Sequence, residues 1–212
     1  MELRHLTANG GDDPALDELL FDFSVATAAR RDGACALIVG RIYRTKQMIG
    51  MIEKYGHEVE MPVSVKMIER LLAHAIERGG PQCDPTSDIY RPDAPVFWRR
   101  EGRLGFKPVT GRRFDTLHHR WQTSSLPFAN EDRATYHIIR HTMGAIIGST
   151  YGESYKARYL RHTVTNVTGG YGKCTDEELA AAMAHLLRFE HPLVQGRDER
   201  RAAAMKRFGL EG

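Results

Sequence analysis

The chain has 212 residues, 42% of them hydrophobic and 27% charged, a composition that suits one globular domain with a real core and excludes disorder as the default. Its longest apolar runs, such as CALIV at 35–39, are too short to cross a bilayer, and MELRHLTANGG lacks the apolar segment of a secretory leader, so a cytoplasmic location is expected. The formal charge of +3 does not by itself separate a nucleic-acid binder from an ordinary soluble protein, and Cys35, Cys83 and Cys174 stand too far apart for a disulfide framework or a structural metal site.

In chain order, DDPALDELLFDF opens the first helix, with Asp13 placed to cap, Pro14 in the first turn, and Leu16, Leu19, Leu20 and Phe23 on one face. The helix is expected to end near RRDG. From Gln47 to Ser64, QMIGMIEKYGHEVEMPVS alternates as two short strands joined through KYGHE, a β-hairpin with a lysine near its tip. Ser64 then caps VKMIERLLAHAIER, where Val65, Ile68, Leu71, Leu72 and Ile76 form a stripe that Gly79 and Gly80 end. Residues 81–95 read as a proline-rich loop. Further helices are expected across RFDTLHHRWQTS, DRATYHIIRHTMGAIIGS, about 152–161 and about 175–189, the last with a capping-box start at Thr175 and Glu178. A charged, alanine-rich helix at about 197–208 has so little apolar surface that it reads as an arm. Basic residues gather in WRREGR (98–103), TGRR (110–113), HHR (118–120) and KARYLRH (156–162), the distribution of a phosphate-tracking face or of an ordinary solvated one.

Two stretches carry more than packing. HIIRHT at 137–142 sets a His-x-x-Arg on an apolar helical pattern, and LRHTVTNVTGGYGK at 160–173 follows with His162 and Tyr171 nine residues apart. Together they resemble the signature of the tyrosine recombinases, the phage integrase family of site-specific recombinases. Upstream, TAARRDGACAL at 27–37 resembles the family's first arginine segment and puts that arginine at Arg30. EKYGHEVEMPVS resembles its lysine hairpin and puts the lysine at Lys54. The resemblance spans about residues 15–190. It departs from the family pattern at Ala28 and Arg161, where glycines are usual, and at Gly33, where an acidic residue is usual.

The resemblance implies a mainly α fold with a small antiparallel β-sheet (α+β), the catalytic-domain fold of that family. It divides the chain into a lead-in at 1–14 without the usual DNA-clamping domain, the catalytic domain at 15–190 and a helical tail at 191–212. The implied function is DNA recombination and DNA integration: cutting and rejoining double-stranded DNA through a covalent 3′-phosphotyrosyl bond, with no cofactor and no metal. Tyr171 would be the nucleophile and Arg30 and Arg140 two guanidinium forks on the non-bridging phosphate oxygens. Lys54 would be the acid for the departing 5′-oxygen, His137 the acceptor of the tyrosine proton and His162 a donor to phosphate. The resemblance also implies a homo-oligomer, a tetramer on DNA, held through 175–189. Relaxation of supercoils in the manner of a type IB topoisomerase, or a non-catalytic DNA-binding module derived from a recombinase, are the alternative functions. His118, His119 and His141 lack motif support and read as structural or DNA-facing.

Overall fold

The computed structural model describes residues 2–52, 56, 58–103, 105–131, 134–162 and 173–207. Its architecture is mainly helical with two small antiparallel sheets. Helix α2 (Pro14–Thr27) is the axis: Leu16, Leu20 and Phe23 are wholly buried on it, and α1 (Glu2–Ala8), α4 (Val65–Gly79) and α7 (His137–Tyr151) pack around it. The expected spacing of apolar side chains therefore lies on the helix about which the core closes.

The hairpin expected between 47 and 64 is present as β2 (Met48–Ile52) and β3 (Glu58–Pro62), with Ile49 opposite Met61 and Ile52 opposite Glu58. A short strand β1 (Ile42–Tyr43) extends it to three. Ser64 caps α4 as expected, its Oγ accepting from the Met67 N–H at 3.1 Å. A second sheet, β4 (Trp98–Glu101) with β5 (Gly105–Pro108), was hidden in sequence by its run of charged residues. After it come α5 (Gly111–Gln122) and α6 (Pro127–Glu131), then α7, α8 (Glu153–Tyr159), α9 (Asp176–Leu187) and α10 (Pro192–Arg207). Thr175 and Glu178 form the expected capping box at the start of α9.

Two local expectations need correction. Asp13 does not cap α2: its carboxylate is buried and held by the Arg78 guanidinium at 2.5 and 2.9 Å, a stronger attraction than one backbone N–H offers. Within the expected lead-in, α1 packs on α2 and α5, with the Trp121 indole N–H donating to Thr7 Oγ1 at 3.0 Å. The second correction is that α7 begins at His137 rather than in DRATY. The Tyr136 N–H donates to His118 Nε2 at 2.7 Å and its hydroxyl to the Leu20 carbonyl at 2.6 Å, which anchors the chain just ahead of the helix.

Part of each basic cluster outside WRREGR is spent on partners within the fold. Arg113 is buried on Asp17 at 2.6 Å, and Arg120 reaches the same carboxylate at 2.9 Å. Burial pushes Asp17 upward while the two guanidiniums pull against it. Arg158 pairs with Asp176, and Lys156 with Glu153. No helix among the described residues is long and apolar enough to cross a membrane.

Breaking one of these buried pairs strands a charge. Asp13→Ala leaves Arg78, whose side chain is 5% exposed, without its carboxylate, and is expected to cost about 3–5 kcal/mol in urea denaturation. A second prediction concerns acid. Burial, helped by the Arg78 charge, pushes His74 down from 6.5 to about 4, and its Nε2 accepts from the Trp98 N–H at 3.1 Å, which requires the neutral ring. Below the ordinary imidazole pKa the unfolded chain takes the proton first, so stability falls as pH drops from 6.5 toward 4. The loss should reach about 3 kcal/mol, and His74→Gln, whose amide oxygen accepts from Trp98 without titrating, should flatten the profile.

Candidate functional site

The site is built at the carboxyl end of α2. The last carbonyls of a helix have no partner within it and form the negative pole of its dipole, so they attract donors and cations. Here Val25 accepts from the buried Tyr159 hydroxyl at 2.7 Å, Thr27 from Arg161, and Ala28 from Arg140 at 2.7 Å and from Arg161 at 3.0 Å. One helix end thereby draws the beginning of α7 and the end of α8 to the same corner.

Ala28 closes α2 in the left-handed region, at φ 50°, its N–H returning to the Ser24 carbonyl at 2.7 Å. Arg161 does the same for α8, at φ 54°. The next N–H, that of His162, reaches back to the Ala157 carbonyl at 2.9 Å, the closure of a Schellman motif. Left-handed backbone is where glycine is most at ease. The two positions that departed from the recombinase pattern by lacking glycine therefore both adopt the conformation that glycine favours, as do Gln47 and Arg188.

From this corner Arg30 caps α3 (Arg31–Cys35) in extended backbone and lines a cleft of about 600 Å³ with Asp32, Gly33, Ala36, Met51, Ile52 and Arg161. Asp32 lies 3.3 Å from Arg31. At Gly33 an added Cβ would meet Met51 Cε at 3.4 Å, an ordinary contact, so the cleft wall has room for a side chain there.

Arg140 is buried, 2% exposed, its guanidinium donating to the Ala28 and Leu160 carbonyls. His137, one turn earlier, is exposed, with its ring centroid 4.8 Å from that of His141. Partial burial, the His141 ring and the charges of Arg140 and Arg30 push His137 below its ordinary value, so it is neutral and able to accept a proton at pH 7. Because Arg140 bonds to the carbonyl of Ala28, two residues before Arg30, the first turn of α7 and Arg30 share one neighbourhood although they come from distant parts of the chain. His162 is exposed at the end of α8, two residues beyond the carbonyl that Arg140 holds. Lys54 and Tyr171 lie outside the described residues.

Two further residues contribute, of which His118 was expected to be structural or DNA-facing. Arg161 joins the cleft wall, where the sequence had marked it only as part of a basic cluster and as a departure from glycine. His118 holds the residue ahead of α7, and burial pushes its pKa down as well, consistent with its acceptor role. Among the described residues no group of histidine, cysteine and acidic side chains is arranged to hold a metal ion. The sequence matches no protein-family model and no curated protein.

Arg140 serves stability as well as charge placement. Arg140→Lys keeps one charge but cannot satisfy two carbonyls with a planar fork. It should destabilise the protein by about 2 kcal/mol in denaturant without DNA present, since bonds to a charged donor contribute about 1.5–3 kcal/mol.

Proposed function

We propose that the protein is a tyrosine-type site-specific recombinase, cutting and rejoining double-stranded DNA through a covalent 3′-phosphotyrosyl intermediate. The observation that carries the reading is the gathering of Arg30, His137 and Arg140 at the carboxyl end of α2, beside a cleft that Arg30 and Arg161 line. In this reading Tyr171 attacks the scissile phosphorus, the phenolic proton passes to His137, and the 5′-oxygen leaves with a proton from Lys54, which falls between β2 and β3 in the sequence. The guanidiniums and His162 offset charge on the non-bridging oxygens as phosphorus becomes five-coordinate, and the phosphotyrosyl ester conserves the bond for religation. Neither metal nor cofactor has a step in this chemistry. The left-handed backbone at Ala28 and Arg161 supports the match, because it is the conformation that the family's usual glycines would favour at both positions.

A second reading, a non-catalytic DNA-binding module of recombinase descent, is favoured by one observation: Arg140 turns its guanidinium to the backbone carbonyls of Ala28 and Leu160. Oligomerisation on DNA belongs to the proposal too, but the apolar face of α9 is not its evidence. Leu179, Ala180 and Met183 are wholly buried against β3, α8 and neighbouring segments of the same chain.

A duplex nicked close to the cleavage position, so that the released strand diffuses away and traps the intermediate, separates the readings. Wild-type protein should form an adduct stable in detergent, and Tyr171→Phe should form none while binding DNA with unchanged affinity. Tight binding by the wild type with no adduct on any duplex tested would establish the module instead.

A further inference from the structure

One stretch of the chain is strongly basic. Residues 98–112 hold five basic side chains, Arg99, Arg100, Arg103, Lys107 and Arg112, against the single acid Glu101, a net +4 where the whole chain carries +3. Most of the segment is the two-stranded ribbon β4–β5. Arg99 stands directly opposite Lys107 and Arg100 opposite Phe106. Like charges facing one another across strands destabilise a sheet unless a counter-ion intervenes. Glu101 supplies one carboxylate for two cations, at 2.6 Å from Lys107 and 3.7 Å from Arg99. Arg100, Arg103 and Arg112 are exposed and make no ion pair among the described residues.

The base of the ribbon is fixed. The Trp98 N–H is bound by His74, its indole N–H donates to the Pro95 carbonyl at 2.7 Å, the Arg100 N–H reaches Asp13 at 3.3 Å, and Arg78 lies 5.3 Å from the centroid of Phe106. A ribbon so held presents its cations with little ordering cost on binding. A two-stranded β-ribbon is also one of the two elements that the major groove of duplex DNA admits.

We propose that the β4–β5 ribbon is a DNA-binding arm that contacts backbone phosphates without reading sequence, with Arg100 and Arg103 as its principal contacts. The inference rests on duplex DNA being the partner, but not on cleavage. The ribbon adds a cationic contact outside the cleft, so it governs affinity and salt dependence rather than the chemical step.

The test compares wild type with Arg100→Ala/Arg103→Ala and with Lys66→Ala, an exposed lysine on α4, on two duplexes of unrelated sequence across a salt series. Thermal melting serves to confirm that each variant is folded. The double variant should bind both duplexes more weakly by the same factor, and the slope of log affinity against log salt should shrink by about 0.9 for each side chain removed. Lys66→Ala should leave both quantities unchanged. Unaltered affinity and slope in the double variant would overturn the arm, even if wild type forms the Tyr171 adduct on a nicked duplex, in which case the recombinase reading survives. A lost slope with no adduct would keep the arm and remove the recombinase. Equal loss from Lys66→Ala, or a loss seen only on vesicles of phosphatidylserine and phosphatidylcholine, would also overturn it.

Discussion

The carbonyl oxygen of Ala28 accepts from two guanidiniums, those of Arg140 and Arg161, and the geometry of the candidate site follows from that shared bond. A helix that ends in the interior must satisfy its last carbonyls, and α2 does so with side chains from α7 and α8 instead of water. Because the satisfying groups are cations, the negative pole of α2 gathers positive charge at the point where Arg30 leaves the helix and lines the cleft. Tyr136 and Tyr159 reinforce the arrangement from either side. Each is buried and donates its hydroxyl to a carbonyl of α2, so the segments carrying His137 and His162 are registered against the same axis.

This arrangement divides the arginines into two populations. Arg78, Arg113 and Arg120 meet buried or nearly buried carboxylates and hold α4 and α5 to the start of α2. Arg140 and Arg161 meet backbone carbonyls at its far end. Such side chains are positively charged, but their donors are largely committed, and phosphate would have to compete for them. Arg100, Arg103 and Arg112 are by contrast exposed on and beside β4–β5 without an ion pair among the described residues, so a net charge as small as +3 coexists with a strongly basic local surface.

Much of this was legible in the sequence. The apolar spacing of DELLFDF located the central helix, the alternation in QMIGMIEKYGHEVEMPVS located the hairpin, and Ser64 and Thr175 marked two helix starts, because these signals are local. Basic clusters left two readings open because charge in sequence does not reveal its partner. Asp17 and Arg113 are 96 residues apart, and only folding makes them a pair. The second sheet was missed for a related reason: β5 is exposed along its whole length, so no burial alternation marks it. At the site, the His-x-x-Arg spacing foretold that His137 and Arg140 would share a face. That Ala28 and Arg161 would be left-handed could be read only through the glycines they replace.

The central claim is that Tyr171 takes the broken strand at the corner where Arg30, His137 and Arg140 meet. Trypsin cleaves after Arg161 and Lys173, releasing HTVTNVTGGYGK, which contains a single tyrosine. After reaction with a nicked duplex, nuclease trimming and tryptic digestion, mass spectrometry should find the nucleotide mass on this peptide, with fragmentation assigning it to Tyr171. Nucleotide carried by any other peptide, or a peptide found only unmodified from protein that has bound the duplex, would contradict the account.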